Sequence, residues 1–205
     1  MLGVMAVLLH LAARPPEPVV LRPRLVVSVQ SESRIGLDPD TLTRIASGVR
    51  DLWRPYADVS LALTAGESSA PGRDDQLALV LTERTLPGHD EGSVGWIEFV
   101  NGHPTQTITV STTAARMLMD KSSWNDRPLS DFPAAVRQRF LVGTLVRSIA
   151  HEIGHYLLRS REHAPRGLMR ARFTAADILE PQPGSNRLDA AAARSINRQV
   201  LVARR

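Results

Sequence analysis

The residues His151-Glu152-Ile153-Gly154-His155 carry the clearest chemical signal in this 205-residue chain. They form a His-Glu-x-x-His pattern, and two side chains four positions apart on a helix project from the same face. Both imidazoles can therefore reach one zinc ion, and the carboxylate of Glu152 is placed to accept a proton from a water that the zinc activates. The pattern predicts a zinc site with Glu152 as its general base.

A catalytic zinc site normally takes three protein ligands, so a third residue must join the two histidines. The chain has no cysteine, which excludes thiolate ligands, disulfides and cysteine nucleophiles and leaves His, Asp and Glu as the possible metal ligands. The nearest further imidazole is His163, eight residues after His155. Because His is a common third ligand in such sites, we expect His163 to bind the zinc. Three nearby carboxylates compete for this position: Glu162, Asp177 and Glu180.

The His-Glu-x-x-His pattern lies in a stretch from Pro133 to about Leu158 that has no internal helix breaker except Gly143 and Gly154. This stretch predicts a long helix. At about 100° per residue, apolar side chains cover one side of this helix and a smaller polar group covers the other. The polar group consists of Thr144, Ser148, His151 and His155. The two histidines should therefore face a cleft or solvent, which suits a metal site better than a buried core.

Shorter patterns predict the elements that must position this helix. Strand patterns occur at residues 25–29, 59–63, 77–81, 96–100 and 107–111, and the pair Asn101-Gly102 between the last two is a hairpin signal. A first helix should begin at Asp38 as N-cap with Pro39 in its first turn and end near Trp53. Two further helices are expected in the tail, at residues 174–179 and 188–202. Irregular connections are expected at residues 65–75, 86–95 and 117–131.

The order of these elements is typical of a mixed α/β or α+β sheet with helices packed on it. Hydrophobic residues make up 43% of the chain and charged residues 22%, as in ordinary soluble domains. The net charge is +4 with scattered arginines and no block of like charges, so no nucleic-acid partner is predicted.

The N-terminus differs in composition from the rest of the chain. We expect residues 1–23 to be a tail or signal-like segment and residues 24–205 to form a single catalytic domain. The apolar run from Met1 to Ala13 is too short to span a membrane, and no other stretch approaches a membrane span. If this run is a signal remnant, the protein is secreted or periplasmic, and otherwise it is cytoplasmic.

The chain resembles the metzincin clan of zinc metallopeptidases, whose signature is His-Glu-x-x-His-x-x-Gly-x-x-His followed by a methionine-containing turn. His151, Glu152 and His155 match the first part of this signature, and Gly167-Leu168-Met169 resembles the turn, with Met169 as its methionine. The resemblance implies a zincin-like fold: a twisted, mostly parallel sheet with one antiparallel edge strand, the active-site helix below it and a small helical C-terminal part.

Two features depart from the metzincin pattern. The glycine of the signature falls on Leu158, and His163 lies two residues later than the signature requires. A left-handed turn at a residue other than glycine costs about 1–2 kcal/mol, so we expect the chain to turn in a different way within residues 159–162.

The resemblance also implies a function, that of a zinc metalloendopeptidase acting on a peptide or protein substrate. An extended substrate would add to the sheet along its candidate edge strand, Trp96-Ile97-Glu98-Phe99-Val100. Two alternatives are a zinc-stabilised binding module without turnover and a zinc hydrolase with a non-peptide substrate. The presence of Glu152 argues against the binding module, because a purely structural zinc site needs no carboxylate at that position.

Overall fold

The computed structural model describes residues 22–31, 35–63, 73–85 and 93–202. The first 21 residues of the predicted tail and most of the connections predicted at 65–75 and 86–95 lie outside the described residues. Within the described part of the chain, no helix is both long enough and apolar enough to cross a membrane.

A five-stranded sheet forms the upper part of the molecule. Its strands are β1 (Arg24–Ser31), β2 (Asp58–Leu63), β3 (Gln76–Thr82), β4 (Gly95–Val100) and β5 (His103–Ser111). The spatial order is β2-β1-β3-β5-β4; every neighbouring pair is parallel except β5 and β4, which run antiparallel. The prediction of a mostly parallel sheet with one antiparallel edge strand is confirmed.

The turn between β4 and β5 is the predicted hairpin. Asn101 and Gly102 have φ values of 52° and 80°, the positive pair that a two-residue type I′ turn requires. The strand β5 then begins at His103. It therefore includes His103-Pro104, which the sequence pattern had left in the turn.

The described residues form five α-helices: α1 (Pro39–Trp53), α2 (Thr112–Lys121), α3 (Ala134–Leu158), α4 (Ala175–Leu179) and α5 (Ala190–Val202). A small hairpin of β6 (Ser123–Trp124) and β7 (Arg127–Pro128), followed by a 3-10 turn at Leu129–Asp131, connects α2 to α3. The start of α1 is as predicted, since the carboxylate of Asp38 accepts a hydrogen bond from the backbone N–H of Thr41 at 2.8 Å.

The prediction of an irregular connection at 117–131 is wrong for its first part, because Met117–Lys121 complete α2. This helix begins at the end of β5, where the hydroxyl of Ser111 accepts a hydrogen bond from the backbone N–H of Ala114 at 3.0 Å. Only Thr112 and Ala115 of α2 are buried, and the helix has ten residues, fewer than the span over which apolar periodicity predicts a helix.

The long helix α3 lies under the sheet and also contacts the other helices. Its predicted extent is confirmed, and His151 and His155 face a cleft, as predicted. Thr144, of the same polar group, is buried, and so is Arg147, whose guanidinium donates to the chain that folds back after α3. The next turns, from Ser148 to His155, border a cavity.

Candidate metal centre

His151 and His155 lie one turn apart near the C-terminal end of α3, and each is oriented by a backbone carbonyl. The Nδ1 atom of His151 lies 2.9 Å from the carbonyl oxygen of Leu168, and that of His155 lies 2.7 Å from the carbonyl oxygen of Ser160. A carbonyl oxygen can only accept a hydrogen bond, so both Nδ1 atoms carry the proton. Each Nε2 atom is left with an unprotonated lone pair, the form that binds a metal.

The two Nε2 atoms lie 3.0 Å apart. In this tautomer neither nitrogen can donate to the other, so two lone pairs face each other at a distance that favours a cation between them. Two imidazole ligands of a tetrahedral zinc ion have their nitrogens about 3.3 Å apart, given zinc–nitrogen distances of about 2.05 Å. The arrangement therefore fits a zinc ion bound through both Nε2 atoms.

Burial keeps these two imidazoles neutral. It lowers the pKa of His151 to about 4 and also lowers the pKa of His155. Because a histidine must be neutral to bind a metal, both side chains are ready for zinc at neutral pH without first losing a proton.

His163 completes a cluster of three histidines. Its ring is stacked on that of His151, with centroids 5.1 Å apart, and its centroid lies 5.0 Å from that of His155. One potential ligand atom from each of the three residues lies within 4.8 Å of the other two. The described residues thus contain a three-histidine cluster that can hold a zinc ion.

The competing carboxylates do not join this cluster within the described chain. Asp177 accepts hydrogen bonds from the backbone and hydroxyl of Thr174 and forms an ion pair with Arg170. Glu162 and Glu180 are exposed. The side chain that the structure brings to the two helix histidines is His163.

The turn that carries His163 back to the helix begins at Arg159. This residue caps α3 in the left-handed conformation, with φ 50° and ψ 39°. The turn falls within 159–162 as expected, but the expectation that it would avoid a left-handed residue is wrong. Hydrogen bonds from the backbone of Arg159 to Tyr156 and from the backbone of Ser160 to His155 close the helix end and offset the local cost.

Glu152 points into a confined space beside the histidines. It is only 6% exposed, and its carboxylate accepts no hydrogen bond within the part of the chain that the structure describes. Burial raises the pKa of Glu152 to about 8, whereas a nearby cation would favour the ionised form. A Cβ placed on Gly95 would lie 3.1 Å from the Cγ atom of Glu152, so the first residue of β4 leaves room for this side chain.

Met169 lies directly beneath the His-Glu-x-x-His turn of α3. It is 4% exposed, and a Cβ placed on Gly154 would come within 2.2 Å of its sulfur. The carbonyl of Met169 accepts a hydrogen bond from the backbone N–H of Ala164 at 2.8 Å, next to His163. Met169 and its neighbour Leu168 therefore contact both the helix and the segment that bring the histidines together.

Arg147 is a residue of this region that the sequence analysis missed. It lies one turn before His151 on α3 and is 3% exposed. Its guanidinium donates to the carbonyls of Gly167 and Ser185 and to the side chain of Asn186. The i, i+4 spacing from Arg147 to His151 was the signal that could have placed it on the same helix face.

A cavity of about 480 Å³ opens above the histidines, between β4 and residues 170–173. Of the predicted edge strand, Trp96, Ile97 and Phe99 line the cavity, while Glu98 and Val100 are exposed outside its lining. Gly95 and the three histidines also border it. The edge of the sheet and the histidine cluster thus share one cleft.

No protein-family model matches the chain, and no curated protein matches its sequence. Among solved structures, the chain is similar to archaemetzincin from Methanopyrus kandleri, with 13% identity, a TM-score of 0.51, and coverage of 87% of this chain and 96% of the other. A zinc-dependent peptidase from Methanocorpusculum labreanum matches with a TM-score of 0.48 and 12% identity, covering 84% of this chain and 99% of that one. Metalloproteinase-II from Bacteroides fragilis matches with a TM-score of 0.48 and 14% identity, covering 88% of this chain and 54% of that one. At these identities the comparison with archaemetzincin establishes the fold, and this chain has the fold of that protein.

Proposed function

We propose that this protein is a zinc metalloendopeptidase in which His151, His155 and His163 bind zinc and Glu152 is the general base. The observation that carries the proposal is the meeting of three histidines and a buried glutamate in one cleft beside an edge strand. The likeness to archaemetzincin supports it at the level of the fold.

The groups that line this cleft would have separate roles in peptide hydrolysis. Bound zinc would act as a Lewis acid toward the scissile carbonyl. Glu152 would take a proton from the attacking water and deliver it to the leaving amine. Its carboxylate accepts no hydrogen bond from the described residues and is therefore available for both transfers. The carbonyls of Leu168 and Ser160 would hold the two helix imidazoles in their metal-binding orientation.

The edge strand β4 would hold the substrate. Among the described strands, β4 pairs with β5 alone, so it forms an edge of the sheet to which an extended peptide could add. Because main-chain hydrogen bonds do not distinguish side chains, this strand would bind many peptide sequences, and selectivity would come from the groups around it. The position of Met169 also supports the proposal, because it lies in a turn under α3 and resembles the methionine that follows the zinc ligands in metzincins.

The proposal is tested by hydrolysis of casein and of a peptide library, with and without a chelator, and after zinc is restored. We expect hydrolysis that the chelator abolishes and zinc restores. We expect Glu152→Gln to abolish hydrolysis while the protein keeps about one zinc per chain, because the residue transfers protons and does not bind the metal. The control is Glu162→Gln, which removes an exposed carboxylate outside the histidine cluster.

The same assay separates the alternatives. Stoichiometric zinc without cleavage of any peptide would favour a binding module or a hydrolase with a non-peptide substrate. Full activity of Glu152→Gln would show that another residue is the general base. Loss of zinc in this variant would show that Glu152 is a zinc ligand.

A further inference from the structure

The wall of the cleft opposite β4 is strongly basic. Residues 158–173, which run from the end of α3 through the third histidine and the Met169 turn, contain five arginines and one glutamate. Three of these arginines line the cavity: Arg161, Arg170 and Arg172. Among the described residues that line it, Glu152 is the only carboxylate.

The three arginines differ in what neutralises them. Arg170 is paired with the carboxylate of Asp177 and so contributes little net charge to the cleft. Arg161 donates to the backbone carbonyl of Phe99 at 3.0 Å and lies over the Phe99 ring at 4.8 Å, and neither contact supplies a negative charge. Arg172 is exposed and makes no hydrogen bond or ion pair with the residues that the structure describes.

We infer that the cleft selects peptides that carry a carboxylate, with Arg172 as the principal specificity-determining residue and Arg161 as a second cation. This inference rests on the proposed function, since it names the class of substrate for the same site. A guanidinium binds a carboxylate through paired N–H donors, so an unpaired arginine in a substrate cleft recognises this group in particular.

The fixed position of Arg161 strengthens the charge argument. Its contacts with Phe99 hold a positive charge against the edge strand, where an added peptide would lie. A peptide on β4 would therefore lie between Arg161 at the edge strand and Arg172 on the facing segment. Among the described residues, no carboxylate forms an ion pair with either of these two arginines. Their charges make the binding of a basic peptide unfavourable and that of an acidic peptide favourable.

The carboxylate that is recognised has two possible sources, an Asp or Glu side chain or the C-terminus of the peptide. A binding assay distinguishes them without turnover. It uses zinc-loaded Glu152→Gln protein and fluorescent peptides of one neutral sequence, with a single Asp or Asn moved through every position. One set has amidated C-termini, and an Asn-containing set has free C-termini.

We expect the best-placed Asp to bind about fivefold more tightly than the matched Asn at low salt, with a smaller ratio at high salt. Arg172→Gln should bring the ratio close to one. The matched control is Arg166→Gln, which removes the same charge from an exposed arginine of the same segment that does not line the cavity. This control should keep the preference, and circular dichroism should confirm that both variants are folded.

The outcomes separate the inference from the proposed function. A preference that follows the free C-terminus and is lost in Arg172→Gln supports carboxylate recognition, with the chain end as its source. Equal affinity for Asp and Asn peptides and for both C-termini, with hydrolysis intact, overturns the inference alone. An equal loss of preference in Arg166→Gln also overturns it, because net charge would then explain the effect. If the protein neither binds nor hydrolyses any peptide, both the inference and the proposed function are overturned.

Discussion

The sheet and the segment from Arg159 to Asp189 are held in the fold by different kinds of contact. The sheet is held by regular backbone ladders and by a core of buried aliphatic side chains, including Leu79 and Ile108. The segment has one short helix, buries a few apolar side chains such as Leu168 and Met169, and is tied to α3 by single polar contacts. Among these polar contacts are those of Arg147, His151 and His155. The sheet therefore sets the shape of the cleft, while the polar contacts set the position of the candidate ligands.

The largest effect is expected for Arg147→Ala. Its removal leaves the carbonyl of Ser185 and the amide oxygen of Asn186 without this donor and leaves the carbonyl of Gly167 with one donor, the backbone N–H of Arg170. All three acceptors are partly buried. We expect the free energy of unfolding of the metal-free protein to fall by about 3 kcal/mol. We also expect weaker zinc binding, because the segment that carries His163 is loosened. Urea unfolding and a competitive zinc titration measure the two effects.

The matched variant in the sheet is Leu79→Ala. It removes a fully buried side chain and should also cost about 3 kcal/mol, but zinc affinity should change little at temperatures where the protein is folded. If Leu79→Ala weakens zinc binding as much as Arg147→Ala does, the two regions are not held independently.

A smaller effect is expected for Gly154→Ala. The added Cβ would overlap the sulfur of Met169, which is itself buried, so we expect a loss of about 2 kcal/mol in the free energy of unfolding. Met169→Ala should relieve this overlap. The double variant should therefore be more stable than the sum of the two single effects predicts. Strict additivity in urea unfolding would mean that Met169 does not pack against this turn of α3.

The smallest effect is expected for Asp177→Asn and depends on pH. Burial by itself would raise the pKa of Asp177, but hydrogen bonds from Thr174 and the ion pair with Arg170 outweigh it and hold the pKa below its usual value of 3.8. A lowered pKa stabilises the folded state above the unfolded value, and this contribution is lost as the pH falls through the folded value. We expect the variant to be less stable by about 1 kcal/mol at pH 6.

The wild type and Asp177→Asn should become more similar in stability as the pH is lowered below about 3.8. Urea unfolding of both at several pH values measures the difference, and the histidines, which are common to both, cancel in the comparison. A difference that stays constant down to pH 3 would show that the charge of Asp177 is not what stabilises this segment.

The same contrast explains how far the sequence could predict the structure. The strands, α1 and α3 were predictable because their apolar spacing repeats and because Asp38 and Asn101-Gly102 mark their boundaries. The sequence pattern did not predict α2, because this helix has only ten residues and its N-cap, Ser111, also ends a strand.

The candidate site was predictable where it is periodic and at His163, which is the nearest further imidazole in the sequence. His151, Glu152 and His155 follow helix spacing, and the structure places them on one cleft. The contacts of Arg147 join residues 20 to 39 positions apart and leave no periodic trace in the sequence. Arg161 and Arg172 line the cavity because the segment after α3 folds back toward the helix, and residue spacing alone does not predict this path.

The most direct test of the central claim is the zinc affinity of His163→Ala, measured by competition with a chromophoric chelator beside Glu162→Ala. We expect about one zinc per chain in the wild type and a loss of zinc affinity in His163→Ala well beyond the roughly 10- to 100-fold typical of residues that only support a ligand. Glu162→Ala should bind zinc as the wild type does. Unchanged zinc affinity in His163→Ala, or a wild type that binds no zinc, would contradict the account.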